Sequence, residues 1–149
     1  VVEAASVCLF AAGVFRMVRR SDRRRVGFYG VAGGAASGGA GVILGLVFAF
    51  DGAADPFATL HFRLNALGFL GLTIVGLAYQ FYPPSIGTLP GSSDRTALLS
   101  IVGICSGLLF QIVSALGAGQ RFAAIGSVLT LVGSAIYAFL LVSAFAARR

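Results

Sequence analysis

The sequence has little charge and few cysteines, and each shortage excludes a class of protein. Only 11% of its 149 residues are charged, whereas a soluble domain carries about a quarter and needs them to cover its surface. Two cysteines in so apolar a chain are ordinary buried residues and not a disulfide framework. The polar stretches are also too short for an extramembrane domain or a nucleotide-binding fold. The composition therefore excludes a soluble globular protein.

The chain is mostly apolar. Hydrophobic residues make up 58% of it and the mean hydropathy is +0.94, and a helix needs about 20 apolar residues to cross the hydrocarbon core. Runs of this kind occupy residues 1–18, 26–50, 57–82, 96–117 and 122–147. The first is the weakest, because Glu3 and Arg16 fall inside it. The sequence predicts an all-α fold, a single polytopic transmembrane helix bundle over residues 1–149 with about five helices.

The positions of the arginines predict which segments of the chain face the cytoplasm. All eleven basic residues are arginine, the net charge is +6, and five arginines fall within residues 19–25. Because cytoplasmic loops are enriched in Lys and Arg, we expect segment 19–25 in the cytoplasm, and alternation then places segment 83–95 and the C-terminus there too. This predicts an integral protein of a prokaryotic plasma membrane, in contact with the lipid bilayer. A basic run between apolar segments is typical of such a loop, so no nucleic acid partner is expected.

Glycine, with 21 residues, recurs at helical spacing. In the second run, glycines three or four residues apart share one helix face. Small residues on one face let two helices approach closely in a bilayer, so we interpret this stripe as a packing surface. Shorter stripes in the fourth and fifth runs predict further seams, with Gln111 as an interhelix hydrogen bonder. The stripes are Gly27, Gly30, Gly34, Gly38, Gly41 and Gly45; Gly103, Gly107, Gln111 and Ser114; and Gly126, Thr130, Gly133 and Tyr137.

The third run holds most of the polar chemistry of the membrane region. It contains the single histidine, His61. Ionisable residues within spans are costly and indicate functional sites by default. A neutral imidazole is a good ligand of haem iron, glycines leave room for a flat macrocycle, and Arg63 could pair with a propionate. The alternative is a structural histidine that bonds a neighbour near the membrane interface. Spacing of three or four residues predicts one shared helix face for His61, Asn65, Gly68, Leu72, Gly76 and Tyr79.

Residues 57–84 resemble the second helix of the catalytic subunit of haem–copper oxidases, in the nitric-oxide-reductase and cbb3-like branch. The resemblance is carried by a histidine near the outer surface, an amide, small residues, a glycine before a tyrosine, and a proline at the inner end: His61, Asn65, Gly68, Gly76, Tyr79 and Pro83. It implies that His61 is an axial ligand of a low-spin haem b. Together with the propionate pairing considered for Arg63, the candidate haem-binding residues are His61, Arg63, Asn65, Gly68 and Tyr79. The resemblance also implies a helix that runs from outside to inside, the direction that the arginines predict.

Three functions stay open. The first is a haem-binding subunit of an electron-transfer or cytochrome oxidase-like system, whose second axial ligand comes from a partner membrane subunit, a second copy in a homo-oligomer, or a helix before Val1. The second is a cofactor-free helix-bundle scaffold or accessory subunit. The third is half of a small-solute transporter lined by Asn65, Gln80 and Gln111, disfavoured because no span looks interrupted at its centre. One histidine does not suffice for reduction of oxygen or nitric oxide, so we do not expect an enzyme.

Overall fold

The computed structural model describes residues 2–20, 26–51, 55–82 and 90–146, and all but a few of these residues are helical, with no strand among them. The predicted all-α fold is confirmed. A π-helix, Leu64–Leu72, joins two α-helices, and a second π-helix, Ser114–Ala118, follows another. The α-helices are α1 (Val2–Arg20), α2 (Val26–Asp51), α3 (Asp55–Arg63), α4 (Thr73–Phe81), α5 (Asp94–Val113) and α6 (Gln120–Ala146).

Four stretches are long and apolar enough to cross a membrane: Val26–Phe50, Phe57–Phe81, Asp94–Ala118 and Gln120–Ala146. Helix α1 holds only a shorter apolar stretch, Ala5–Val14, as its charges predict. Large apolar side chains remain on the outside of the bundle; Leu131, for example, is 70% exposed. Such a surface suits lipid and not water, so the chain is an integral membrane protein. Residues 21–25, 83–89 and 147–149, which hold most of the predicted cytoplasmic segments, lie outside the described residues.

The glycine stripe of α2 packs against the third span, Phe57–Phe81. A Cβ atom added to Gly30 would lie 2.7 Å from Gly76 Cα, and one added to Gly41 would lie 2.9 Å from the Asn65 amide nitrogen. Carbon atoms in contact are about 3.5–4.0 Å apart, so a larger residue at Gly30 would push the two backbones apart. The stripe is the packing surface that the sequence predicts.

A second seam joins α5 and α6. A Cβ on Gly107 would lie 2.6 Å from the Gly126 carbonyl oxygen, and one on Gly133 would lie 2.7 Å from the Ser100 carbonyl oxygen. The Ser100 hydroxyl donates to the Gly133 carbonyl at 2.9 Å across this seam. The predicted seam is thus confirmed. From the sequence, Gln111 is expected to form a hydrogen bond between helices. Its oxygen Oε1 is buried and has no hydrogen-bond partner in the part of the chain that the structure describes.

The apolar core lies between the third span and helices α5 and α6, with one residue of α2, Val26, at its edge. Cys105 borders this core, whereas Cys8 is exposed on α1, so the expectation that both cysteines are buried is wrong for Cys8. The lipid-facing surface of an apolar helix accommodates a cysteine as readily as the core does. The core residues are Val26, Leu72, Val75, Tyr79, Ala97, Ile101, Ile104, Leu108 and Leu140.

The two π-helices are features that the hydropathy pattern does not predict. Leu64–Leu72 occupies the centre of the third span, which remains one continuous helix from Phe57 to Phe81. The wider i→i+5 turn changes the direction of side chains beyond it, and π segments often occur at functional sites. At the end of Ser114–Ala118, Gly117 has a φ of 100°, which lets the chain turn sharply into α6.

Candidate functional site

The structure orients His61 from the neighbouring helix. His61 lies in the last turn of α3, and its Nδ1 is 2.9 Å from the carbonyl oxygen of Gly41 on α2. Because a carbonyl can only accept, Nδ1 carries a proton and donates it; in the neutral imidazole, this tautomer leaves the lone pair on Nε2. The ring packs edge to face against Phe48, with 5.6 Å between ring centroids. Helix α2 thus determines both the tautomer and the position of the imidazole.

Close packing at the other edge of the ring restricts it further. A Cβ atom added to Gly45 would lie 3.2 Å from His61 Cε1. Glycine at this position therefore gives the imidazole just enough space to lie against the backbone of α2. The last two glycines of the stripe, Gly41 and Gly45, therefore contact the histidine ring in addition to packing the helices together.

Asn65 lies one turn after His61 and contacts it without blocking Nε2. Its amide nitrogen Nδ2 donates to the His61 carbonyl oxygen at 2.9 Å, and it is 3.3 Å from Nε2 and 3.5 Å from Nδ1 of the ring. A donor aligned with one lone pair would lie much farther from the other nitrogen, so these nearly equal distances place the amide out of line with both. Among the described residues, the Nε2 lone pair has no aligned donor.

The imidazole borders a cavity of about 590 Å³ between α1, α2 and the third span, the His61 cavity. This volume falls within the range of small-molecule and cofactor pockets, roughly 300–1,000 Å³. Leu46 and Leu70 are 49% and 56% exposed, so the mouth of the cavity faces the lipid side of the bundle. His61 and Asn65 supply the polar side chains; the other lining residues are Val7, Val42, Gly45, Leu46, Phe48, Ala49, Phe69 and Leu70.

Arg63 does not reach this cavity. It lines a separate one of about 390 Å³ at the same end of the bundle, the Arg63 cavity, between α3 and the junction of α5 with α6. Two residues along an α-helix correspond to about half a turn, which separates the directions of His61 and Arg63. The remaining lining residues are Thr59, Leu60, Gln111, Ser114, Ala115, Gly117, Gly119, Gln120 and Ala123.

The other two predicted site residues lie deeper in the bundle. Gly68 packs against Ser37 of α2 and Leu108 of α5, and it does not line the His61 cavity. Tyr79 is buried at the far end of the third span, where its ring lies 5.7 Å from that of Tyr137 on α6. Its hydroxyl faces Ser100 without reaching hydrogen-bond geometry. The structure therefore brings His61 and Asn65 together and separates them from Arg63, Gly68 and Tyr79.

The shared face predicted for the third span is largely present. His61, Asn65, Gly68 and Gly76 all contact α2, whereas the ring of Tyr79 turns to α6. The proposed transporter lining is dispersed, since Asn65 and Gln111 border different cavities and Gln80 is exposed at the far end of the span.

Sequence reasoning missed the partners that α2 contributes to the histidine. The Gly41 carbonyl is the acceptor of the His61 proton, and Phe48 packs on the ring. The spacing of the glycine stripe marks which face of α2 is packed, but it does not say which helix covers that face. The backbone carbonyl of a glycine leaves no distinctive signal in the sequence.

Known proteins provide no guide to this site. Comparisons with family models, with curated proteins and with solved structures found no match. The described residues contain no group of three or more His, Cys, Asp or Glu side chains close enough to hold a metal ion.

Proposed function

We propose that this chain is a membrane subunit that binds haem b, with His61 Nε2 as an axial ligand, in an electron-transfer or oxidase-like system. The observation that carries the proposal is the hydrogen bond from Nδ1 to the Gly41 carbonyl at 2.9 Å, the arrangement in which a neutral imidazole keeps its lone pair on Nε2, in a residue that lines a large, mostly apolar cavity. Histidines that bind metals usually donate their second ring N–H to a carbonyl or carboxylate in this way.

The residues present fit a haem in three respects. The porphyrin supplies the equatorial nitrogens, so a single histidine suffices where no cluster of metal ligands exists among the described residues. The walls formed by Phe48, Phe69 and their apolar neighbours suit a flat hydrophobic ring. The lipid-facing mouth lets the ring enter from the bilayer. When bound, haem supplies one-electron chemistry.

The chain's own residues hold and orient the ligand. Gly41 keeps the proton on Nδ1, Phe48 and Gly45 restrict rotation of the ring, and Asn65 ties its amide to the backbone of the turn that carries His61. The apolar walls exclude water, which raises the effect of any charge near the cavity. Arg63, Gly68 and Tyr79 have no direct part in this binding.

Besides His61, the residues that line the cavity offer no usual haem ligand, so a second ligand would come from beyond these walls. We propose a second copy of the chain or a partner membrane subunit that covers the lipid-facing mouth at Leu46 and Leu70. From the arginine distribution, we also propose a prokaryotic plasma membrane, with segments 19–25 and 83–95 and the C-terminus in the cytoplasm.

The test is the visible spectrum of the full chain, purified from membranes and supplied with haem. We expect a Soret band in the wild type that His61→Ala abolishes. Gly45→Leu is expected to weaken it too, because the added side chain would occupy the space beside the ring. Arg63→Gln and Gln80→Ala serve as matched controls that change polar residues of the same span outside the cavity.

A wild-type sample without a Soret band would overturn the proposal and leave the cofactor-free scaffold, which the two glycine seams favour. A band that persists unchanged in His61→Ala would show that His61 is a structural histidine. Retention of the band in Arg63→Gln is expected, since that side chain lines the other cavity.

A further inference from the structure

The Arg63 cavity combines a fixed positive charge with an unsatisfied acceptor. The Arg63 guanidinium carries a positive charge and presents several N–H donors. It forms no ion pair or hydrogen bond with another residue of the described ranges. A half-buried arginine in this state favours an anion, above all a phosphate or carboxylate that can accept two bonds from it.

Gln111 is the independent sign of a ligand. Its side chain is only 5% exposed, lines the same cavity, and has an oxygen, Oε1, without a hydrogen-bond partner among the described residues. Leaving a buried polar atom unpaired is costly, and most such atoms in proteins are satisfied. Oε1 is covered in this conformation, so a donor that enters the cavity would satisfy it once the Gln111 amide turns towards the cavity. The ligand therefore needs a hydroxyl or ammonium group as well as an anion.

The surroundings of the cavity agree with this charge pattern. Gln120 and Ala123 bring the N-terminus of the 27-residue helix α6 to its wall, and the positive end of a helix dipole favours anions. Thr59 and Ser114 add hydroxyl groups. Gly117, Gly119 and Gln120 are exposed, so the cavity opens at the end of the bundle. A cavity of about 390 Å³ has room for a headgroup or a small solute.

We propose that the Arg63 cavity binds a phosphate ester that carries a free hydroxyl, with the phosphate at Arg63 and the hydroxyl donating to Gln111 Oε1. Two sources offer this chemistry: the headgroup of a phosphatidylglycerol lipid and a soluble glycerol phosphate. Cationic pockets between membrane helices are known to bind lipid headgroups. The site is separate from the His61 cavity and does not depend on haem.

The test measures binding to the full chain in detergent. One arm compares retention of phosphatidylglycerol with that of phosphatidylcholine by native mass spectrometry, and a second arm titrates sn-glycerol 3-phosphate by calorimetry. The variants are Arg63→Gln and Gln111→Leu. Arg121→Gln is the matched control, because Arg121 is exposed at the same end of the bundle and does not line the cavity.

We expect Arg63→Gln to weaken binding about tenfold or more, the usual effect of losing a charge-assisted hydrogen bond, and Gln111→Leu to weaken it several-fold. Arg121→Gln should bind as the wild type does. Binding in the lipid arm alone assigns the site to a headgroup, and binding in the soluble arm with the same variant pattern assigns it to a free solute.

Equal retention of both lipids without binding of glycerol phosphate would overturn the proposal. So would an equal loss in Arg121→Gln and Arg63→Gln, which would indicate unspecific attraction by surface charge. Gln111→Leu removes an unpaired buried oxygen, so without ligand it should unfold no earlier than the wild type. A loss of binding in this variant therefore does not reflect misfolding. The Soret band tests the His61 site separately, since Arg63→Gln leaves that cavity unchanged.

Discussion

Substitution of Gly30 by alanine tests whether the glycine seam holds the third span in place. The added Cβ would lie 2.7 Å from Gly76 Cα, 2.9 Å from Gly76 N and 3.0 Å from the Leu72 carbonyl oxygen. All three are backbone atoms, so no side chain can rotate to make room. To restore a contact of about 3.5 Å, the two helices would have to separate by roughly 0.8 Å.

Two opposed contributions determine how much Gly30→Ala changes the free energy of unfolding. Alanine stabilises a helix over glycine by about 0.5–1 kcal/mol in water, whereas overpacking a tight contact costs about 1–3 kcal/mol. Gly39 on the same helix has nothing within 4 Å of its added Cβ, so Gly39→Ala has only the first term. The difference between Gly30→Ala and Gly39→Ala in the free energy of unfolding is then about 1–3 kcal/mol, because the helix term cancels.

The assay is unfolding by sodium dodecyl sulfate in mixed micelles, followed by far-ultraviolet circular dichroism. Gly39→Ala should unfold at the same or a higher dodecyl sulfate fraction than the wild type, and Gly30→Ala at a lower one. Equal midpoints for the two variants would refute the argument that backbone contact at Gly76 holds these helices together.

Two further predictions use the same assay. Ser100→Ala should lower the free energy of unfolding by about 1 kcal/mol, because it removes the buried hydrogen bond to the Gly133 carbonyl; an effect no larger than that of the exposed Ser127→Ala would contradict this. Gly117→Ala should cost about 1–2 kcal/mol because of its φ of 100° alone, since its Cβ would meet nothing within 4 Å. An unchanged midpoint would show that the turn into α6 relaxes freely.

Most of the fold could be predicted from the sequence. A helix that crosses the hydrocarbon core needs an apolar run of matching length, so such runs indicate where the spans lie. The predicted ends of the four long spans agree with those of the helices to within about three residues. The glycine spacing also marks which faces pack, because close helix approach in lipid depends on small residues. The π-helix Leu64–Leu72 could not be predicted, since its sequence is that of an ordinary apolar helix and i→i+5 bonding is set by the packing around it.

The candidate sites, too, could be predicted from the sequence only in part. His61 and Arg63 stand out in the sequence because charged and titratable groups are rare in spans. Whether they share a cavity depends on the rotation of α3 relative to its neighbours, and the structure separates them. The unpaired oxygen of Gln111 is also a tertiary property, because the sequence shows an amide on a packed face but not whether a partner meets it.

The sequence by itself determined that this chain forms a membrane bundle with glycine seams and one histidine in its third span, because hydropathy and spacing are local properties. Only the tertiary structure decided that the Gly41 carbonyl accepts the His61 Nδ1 proton beside a mostly apolar cavity, and that Arg63 and Gln111 line a different cavity. The direction of a side chain depends on helix rotation, and contacts between distant segments determine that rotation.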